Sequence, residues 1–355
     1  MSSPTPPLTS LTQSDLGALL EAWNEPAYRG KQILDWLYRH RVTDVAAMTN
    51  LPASLREKLA AHPITRMTQV KVQGSADTTR KFLFRLHDGR LVESVLIPAS
   101  PALYGESSDR RTLCVSTQVG CAMDCKFCAS GLAGLTRNLG ADEIVGQILA
   151  AELAAGERVN NLVFMGMGEP LANLKNLLQA LLILNAPWGL NIGARHITLS
   201  TSGIAPAIHK LAAFPLQIRL AISLHGATDE VRERIMPVNK KWPLSELFDA
   251  LRAWKTQKKQ KLTFEYILIH GVNDDLQQAR ILAKHARALD AKVNLIPYNT
   301  VDGLEWKRPP LRHCETFRAI LSEVGVPATL RLEKGHDIDA ACGQLRLKEE
   351  GKVSS

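Results

Sequence analysis

Three cysteines crowded into eight residues carry the most distinctive chemistry in this chain. The segment Gly120-Cys121-Ala122-Met123-Asp124-Cys125-Lys126-Phe127-Cys128 spaces them as C-x3-C-x2-C. In a reducing compartment such a group reads as a metal or redox site rather than a disulfide framework. Three thiolates on one short loop can hold three irons of a four-iron cube and leave the fourth iron open for a substrate. Zinc is the competing reading, but structural zinc asks for four ligands in paired spacing, and no second pair is present. Soft thiolates at this spacing favour iron–sulfur. Cys114, Cys314 and Cys342 stand alone. A lone cysteine is most often a small buried hydrophobe, and Cys314 is left in that class. Cys342 differs: Ala341 and Gly343 flank it and a short acidic run precedes it, which predicts an accessible thiol in a loop.

With Phe127 the loop reads C-x3-C-x-aromatic-C, and here the sequence resembles the radical S-adenosylmethionine (SAM) superfamily. The resemblance implies a 4Fe–4S cluster held by Cys121, Cys125 and Cys128. It also implies that the open iron chelates SAM, which one electron cleaves to a 5′-deoxyadenosyl radical. Gly166-Met167-Gly168-Glu169-Pro170 ends a strand-like run, and its glycines allow a ligand close to the backbone. Alone it also fits an ordinary β-to-α turn. In radical SAM proteins the turn at this place binds the SAM amino group, which implicates Gly168 and Glu169. Ser200, the run Ser223-Leu224-His225, and Asn299 follow three further strand-like runs. They put short polar groups on the same rim, suited to ribose hydroxyls and the methionyl carboxylate. Each alone also fits a cap or turn, and His225 a satisfied core histidine. Their repetition on one rim is what points to SAM.

Strand-like and helix-like runs alternate from residue 112 onward and supply those positions. Thr112–Ser116, Leu162–Met165, His196–Ser200, Ile218–Leu224, Leu262–Ile269 and Val293–Ile296 read as strands, with helical periodicity between them. This predicts an α/β fold, a partial (β/α)6 radical SAM barrel with an N-terminal helical domain and a small β unit. The expected boundaries are a disordered tail over 1–13, the helical domain over 14–66, the β unit and a linker over 67–111, the core over 112–346, and a tail over 347–355. The Asp88-Gly89 pair predicts a hairpin turn. At 355 residues with 45% hydrophobic and 22% charged residues, the chain is neither disordered nor low-complexity. No apolar run approaches the ~18 residues of a membrane span, and residues 1–13 lack the marks of a secretory signal, so a cytoplasmic protein is expected. Lys and Arg outnumber Asp and Glu by 43 to 35, a net charge of +8 that suits a nucleic-acid partner without establishing one.

A closer resemblance rests on several motifs in order. Tyr28-Arg29-Gly30-Lys31-Gln32-Ile33, Arg111-Thr112-Leu113-Cys114-Val115-Ser116, Gly166 to Pro170, and Gly335-His336-Asp337-Ile338-Asp339-Ala340-Ala341-Cys342-Gly343-Gln344 closely resemble the RlmN and Cfr family. Its members are radical SAM methyltransferases acting on an adenine of 23S ribosomal RNA. The resemblance implies methylation of carbon 2 of adenine 2503 in 23S rRNA and of adenine 37 in some tRNAs. An adenine amidine carbon is not nucleophilic, so direct polar transfer from SAM would fail. In the family a first SAM methylates a cysteine, matched by Cys342. The radical from a second SAM takes a hydrogen from that S-methyl group, and the methylene radical adds to the adenine. A second cysteine, matched by Cys114, attacks the sulfur of Cys342 and releases the product through a transient disulfide. The family assigns removal of the ring proton to a Glu in the β unit, matched by Glu93; without the resemblance Glu93 reads as an exposed strand carboxylate. The stretch Ala99 to Ser108 is longer than is usual in RlmN and reads as a lid or a surface insertion.

Two basic runs are candidates for RNA contact. Arg29, Lys31, Arg39 and Arg41, with Tyr28, Trp36 and Tyr38 among them, form the favoured one. Arg252, Lys255, Lys258, Lys259 and Lys261 form the other, for which a solvated helix face is an equal reading. The resemblance further implies 23S rRNA and tRNA as partners, a flavodoxin- or ferredoxin-type electron donor, no membrane, and a monomer. Three alternatives stand beside it. A Cfr-type enzyme would methylate carbon 8 of the same base and shares every motif above. A glycyl-radical activase would need neither Cys114 nor Cys342. A non-enzymatic iron–sulfur RNA-binding protein would need neither the rim nor the Ala341-Cys342 segment.

Overall fold

The computed structural model describes residues 5–75, 78–99, 108–132, 134–299, 304–331 and 344–353. Twelve strands are present among them. Ten form one sheet in the order β1-β2-β3-β4-β7-β8-β9-β10-β11-β12. The parallel part comprises β4 (Arg111–Cys114), β7 (Asn161–Phe164), β8 (Ile197–Thr201), β9 (Arg219–Ser223), β10 (Thr263–Leu268), β11 (Lys292–Pro297) and β12 (Ala328–Leu330). Leu162, Phe164, Ile197, Leu199, Leu220, Ile222, Phe264, Leu268, Val293 and Leu295 are all buried, as parallel strands covered by crossover helices must be. The six expected strands lie within a residue or two of these. The seventh, β12, is a three-residue, half-buried strand at the sheet edge, too short to leave an alternating pattern.

The β unit is continuous with this sheet. β1 (Thr68–Gly74), β2 (Arg80–Arg85) and β3 (Leu91–Pro98) pair antiparallel, and β3 pairs antiparallel with β4 in the register Val95↔Cys114. The β2–β3 turn forms at Asp88-Gly89, with Gly89 at φ +81. One face of this ladder packs Phe82, Phe84, Val92 and Leu96 into the main core. Ser94 Oγ on the same face donates to Gln147 Oε1 of helix Ala141–Ala155 at 2.9 Å. That helix starts where Glu143 accepts from Gly140 N–H at 2.9 Å and ends at Gly156 in the left-handed region, φ +69. A two-stranded hairpin, β5 (Gln118–Gly120) with β6 (Leu135–Asn138), stands outside the large sheet.

Both expected tails differ from the structure. Leu8 is buried, its N–H donates to Pro63 O at 2.8 Å, and Tyr38 Oη donates to Thr9 O at 3.2 Å. The turn Leu8–Ser10 therefore packs against helix Ala141–Ala155 and is tied to helix Tyr28–Tyr38 through Tyr38; the Pro, Ser and Thr around them mask the apolar pair Leu8 and Leu11. At the other end, residues 347–353 continue a helix, Gln344–Val353, anchored by buried Leu345 and by a Lys71–Glu349 ion pair at 2.6 Å. Among the described residues no helix is long and apolar enough to cross a membrane. Leu8→Ala should cost about 2–4 kcal/mol of stability, read as a fall in the thermal unfolding midpoint; an unchanged midpoint would return this segment to a loose tail.

Candidate active site

The β5–β6 hairpin exists to close the cysteine loop. Cys121 N–H donates to Gly134 O at 3.0 Å, and Gly120 takes φ +77 there. A Cβ on Gly120 would lie 1.9 Å from Gly134 O, so no side chain fits. Inside the loop Cys128 N–H donates to Cys125 O at 3.0 Å, and Lys126 N–H donates to Ile235 O at 2.9 Å, docking the loop on helix Asp229–Ile235. Phe127 meets His225 edge to face, ring centroids 4.7 Å apart.

Burial pushes the Cys121 thiol up to about 12, with the neighbouring Cys128 and Glu169 adding to the rise. Burial also raises Cys125, reinforced by Cys128, Cys121 and Glu169 and opposed by the Arg232 guanidinium. Three thiols that disfavour one another's ionisation suit a strongly cationic guest, whose binding must release their protons. Among the described residues no three His, Cys, Asp or Glu side chains converge as one metal ion would require. A cubane makes no such demand, since each thiolate takes its own iron. Three soft thiolates on one loop, each able to take its own iron, fit such a cluster.

Glu169 is the hub of the neighbouring turn. Its carboxylate is buried and accepts from Leu171 N–H at 2.9 Å, Thr201 Oγ1 at 2.8 Å and Ser202 N–H at 2.7 Å, while its own N–H donates to Gln118 Oε1 at 2.8 Å. Burial raises its pKa and these donors oppose the rise. The carboxylate therefore laces the turn after β7 to the end of β8, and the Glu169 N–H ties both to the hairpin, with carboxylate lone pairs left for one more donor. Gly166 and Gly168 permit the approach: a Cβ on Gly166 would meet Val115 O at 2.8 Å, and one on Gly168 (φ +97) would meet the Gln118 side chain at 2.5 Å.

The other rim residues lie together at the C-terminal ends of the strands. Ser200 Oγ and Ser223 Oγ are 3.4 Å apart, and Leu224 N–H donates to Glu265 O at 3.0 Å. His225 is buried at φ +55, and its Nδ1 accepts from Ile267 N–H at 3.0 Å, leaving the proton on Nε2. Burial, with help from Arg232, pushes His225 down to about 3, so the ring is neutral at physiological pH. Asn299 Oδ1 accepts from Arg308 Nη2.

Three buried residues were missed by the sequence reading. Arg232 donates from Nε to Leu224 O at 3.0 Å, from Nη1 to Asn239 Oδ1 at 2.8 Å, and from Nη2 to Ser202 O, which ties the ends of β8 and β9 together. Glu265 pairs in register with Ser223 and Asn294, and Asn294 Nδ2 donates to its Oε1 at 2.8 Å. Lys81 is the third, and it belongs to a second cluster of groups.

That second cluster lies on the face of β2, β3 and β4 opposite the main core. In the ladder Lys81 stands opposite Val95, Leu83 opposite Glu93, and Val95 opposite Cys114, so Lys81, Glu93 and Cys114 share one face. Glu93 is buried, contrary to its reading as an exposed strand carboxylate. Its Oε2 lies 2.9 Å from Lys81 Nζ, and its Oε1 accepts from Arg346 N–H at 2.6 Å. Leu345 packs on the same face against Leu83 and Leu91. Cys342 lies outside the described residues, three positions before Leu345.

The basic runs divide. Tyr28 and Lys31 are exposed, Arg29 stacks on the Tyr28 ring at 4.8 Å, and Arg39 is largely exposed beside Asp35. Tyr38 is buried and Arg41 binds Glu152, so both serve the fold. In the other run Lys258 is buried and donates to the carbonyls of Phe214 and Leu216, and Lys255 donates to Leu289 O at 2.6 Å. These lysines tie loops together, because unpaired carbonyls at helix ends need donors.

Fold and loop together define a radical SAM protein. Residues 115–280 match the radical SAM superfamily, and residues 7–64 match the ribosomal RNA large subunit methyltransferase N-terminal domain. The chain is 57% identical over 352 residues, 99% of its length and 98% of the relative's, to "Probable dual-specificity RNA methyltransferase RlmN" of Akkermansia muciniphila. It is 44% identical over 376 residues to "Dual-specificity RNA methyltransferase RlmN" of Sorangium cellulosum, covering 98% of this chain and 96% of that one. A crystal structure of a radical SAM methyltransferase from Sphaerobacter thermophilus superposes with a TM-score of 0.87 at 44% identity, over 96% of this chain and 98% of that one. The chain belongs to the RlmN family. Membership implies a 4Fe–4S cluster and SAM as its cofactors.

Gly120→Ala should lower the iron bound per chain after anaerobic reconstitution, because Gly134 must move. Gly89→Ala is the control: at φ +81 it is similarly strained, but no atom lies within 4 Å of its Cβ position. Equal iron in the two variants would separate the hairpin from cluster binding.

Proposed function

We infer that this chain methylates carbon 2 of adenine 2503 in 23S rRNA and of adenine 37 in some tRNAs, using Cys342 as methyl carrier. The observation that carries the reading is the shared face of β3 and β4. Glu93 and Cys114 share it as diagonal neighbours across the β3–β4 ladder, and the helix that begins two residues after Cys342 packs on it through Leu345. No glycyl-radical activase or iron–sulfur binding protein needs a carboxylate and a thiol so arranged. In this reading Cys121, Cys125 and Cys128 hold the cluster. Gly168 and Glu169 receive the SAM amino group, and Ser200, Ser223, Leu224, His225 and Asn299 line the remainder of its pocket. When bound, the cluster and SAM would supply a radical able to take a hydrogen from the methyl group on Cys342 and would take back one electron from the adduct. Once the methylene carbon is bonded to the ring carbon, Glu93 takes that carbon's proton; Cys114 then attacks the Cys342 sulfur, breaking its bond to the methylene and forming a Cys114–Cys342 disulfide, and the released enamine takes up a proton to become the methyl group. Tyr28, Arg29, Lys31 and Arg39 form the exposed basic and aromatic surface that grips RNA, and the target adenine leaves its stack to reach the site. The enzyme works as a cytoplasmic monomer fed by a flavodoxin- or ferredoxin-type donor.

Mass spectrometry of nucleosides from rRNA and tRNA tests the reading. Cells lacking the gene should lose 2-methyladenosine from both RNAs, and the wild-type gene should restore it. A gene carrying Cys342→Ala should not restore it, although the variant protein still cleaves SAM slowly. Appearance of 8-methyladenosine instead would move the chemistry to carbon 8, and full methylation by Cys342→Ala would remove the carrier assignment.

A further inference from the structure

Lys81 is wholly buried, and its ammonium faces a carboxylate that is itself 3% exposed. Taking both charges from water is costly, and well-packed apolar residues of similar volume usually stabilise a fold as well or better. Stability is therefore a weak reason for an ion pair here. Leu83, Leu91, Val95, Ile97 and Leu345 make this face largely apolar around the pair, with Lys71, Gln73, Arg85 and Thr112 on its outer positions and Cys114 as its thiol. A general base must be correctly aimed when its substrate arrives.

We propose that Lys81 is a positioning residue for Glu93: its ammonium turns Oε2 toward β2, while the Arg346 N–H fixes Oε1. The inference rests on the reading of Glu93 as the base that removes the ring proton. Lys81 itself exchanges no proton or electron and acts only through the Glu93 carboxylate. The Arg346 contact adds a geometric consequence. Arg346 lies in the helix that begins two residues after Cys342, so the carboxylate also anchors the start of that helix. One side chain thus carries the base and holds the helix, and Lys81 holds that side chain in place from behind.

The test uses the full-length, anaerobically reconstituted enzyme, SAM, and a transcribed 23S rRNA fragment containing the target adenine, unlabelled or deuterated at carbon 2. Lys81→Met, Lys81→Arg and Glu93→Gln are compared by three readouts: methyl on the Cys342 peptide before RNA is added, RNA covalently attached to protein, and methyladenosine released. Lys81→Met should load the methyl group as wild type does and then accumulate attached RNA that keeps its ring hydrogen. Release should slow by roughly 10–100-fold, less than loss of a base outright can cost, and deuterium should slow it further. Lys81→Arg should recover most of the release, because charge and donor return. The inference fails if Lys81→Met releases product at the wild-type rate. It fails equally if that variant loses cluster, methyl loading and release in parallel, with no recovery in Lys81→Arg, since that marks support of the fold alone. Glu93→Gln separates the two levels. If it releases product normally, the base reading is wrong; if it stalls while Lys81→Met does not, only the role of Lys81 is wrong.

Discussion

The antiparallel pairing of β3 with β4 is the constraint on which the arrangement depends. Strand β4 is the first parallel strand of the core, and its C-terminal end leads directly into the cysteine loop. By pairing Val95 with Cys114, the ladder sets the β unit in a register that puts Glu93 and Cys114 on one face. A slip of one residue would turn Glu93 into the main core and Leu96 or Val92 outward, so burial of the opposite face enforces the register. Ser116 strengthens it from the side: its Oγ donates to Glu93 O at 2.7 Å and accepts from Met167 N–H at 2.9 Å. That one hydroxyl joins the strand of the proposed base to the Gly-rich turn of the proposed SAM pocket.

The rim is organised by buried charges rather than by the short polar residues alone. Glu169 gathers donors from its own turn and the end of β8 and donates its N–H to the hairpin, and Arg232 gathers carbonyls from two strand ends. Opposite charges in a low-dielectric interior interact strongly, but each is stable only because its hydrogen-bonding capacity is largely met. The result is a preformed rim, with Ser200, Ser223 and His225 held by the backbone around them. The same burial keeps the thiols of Cys121 and Cys125 protonated until a cationic guest arrives, which couples loading of the loop to proton release.

Much of this was legible in the sequence, for physical reasons. Strands such as Ile218–Leu224 stand out as short apolar runs, helices such as Leu276–Ala288 as amphipathic ones, and the Asp88-Gly89 turn has a specific backbone requirement. The cysteine loop was legible because its spacing is short-range. What escaped depends on long-range register. Lys81 in Arg80-Lys81-Phe82 looks like any charged strand residue, and only the ladder reveals that it faces Glu93. Arg232 lies in the charged run Asp229-Glu230-Val231-Arg232-Glu233-Arg234, whose composition reads as a solvated helix, yet it is wholly buried. Lys258 was misread for the same reason, since the carbonyls it serves belong to a loop 40 or so residues away.

The most direct measurement is the mass of what is attached to Cys114→Ala protein purified from cells. If Cys114 is the thiol that opens the link to Cys342, its loss should leave the preceding steps intact and trap the protein with RNA bonded through a methylene group to Cys342. After nuclease and protease digestion, the peptide containing Cys342 should carry the mass of a methylene-linked adenosine, resistant to denaturant. Cys114→Ala protein free of RNA and fully active in methylation would contradict the account and leave Cys114 a buried strand cysteine.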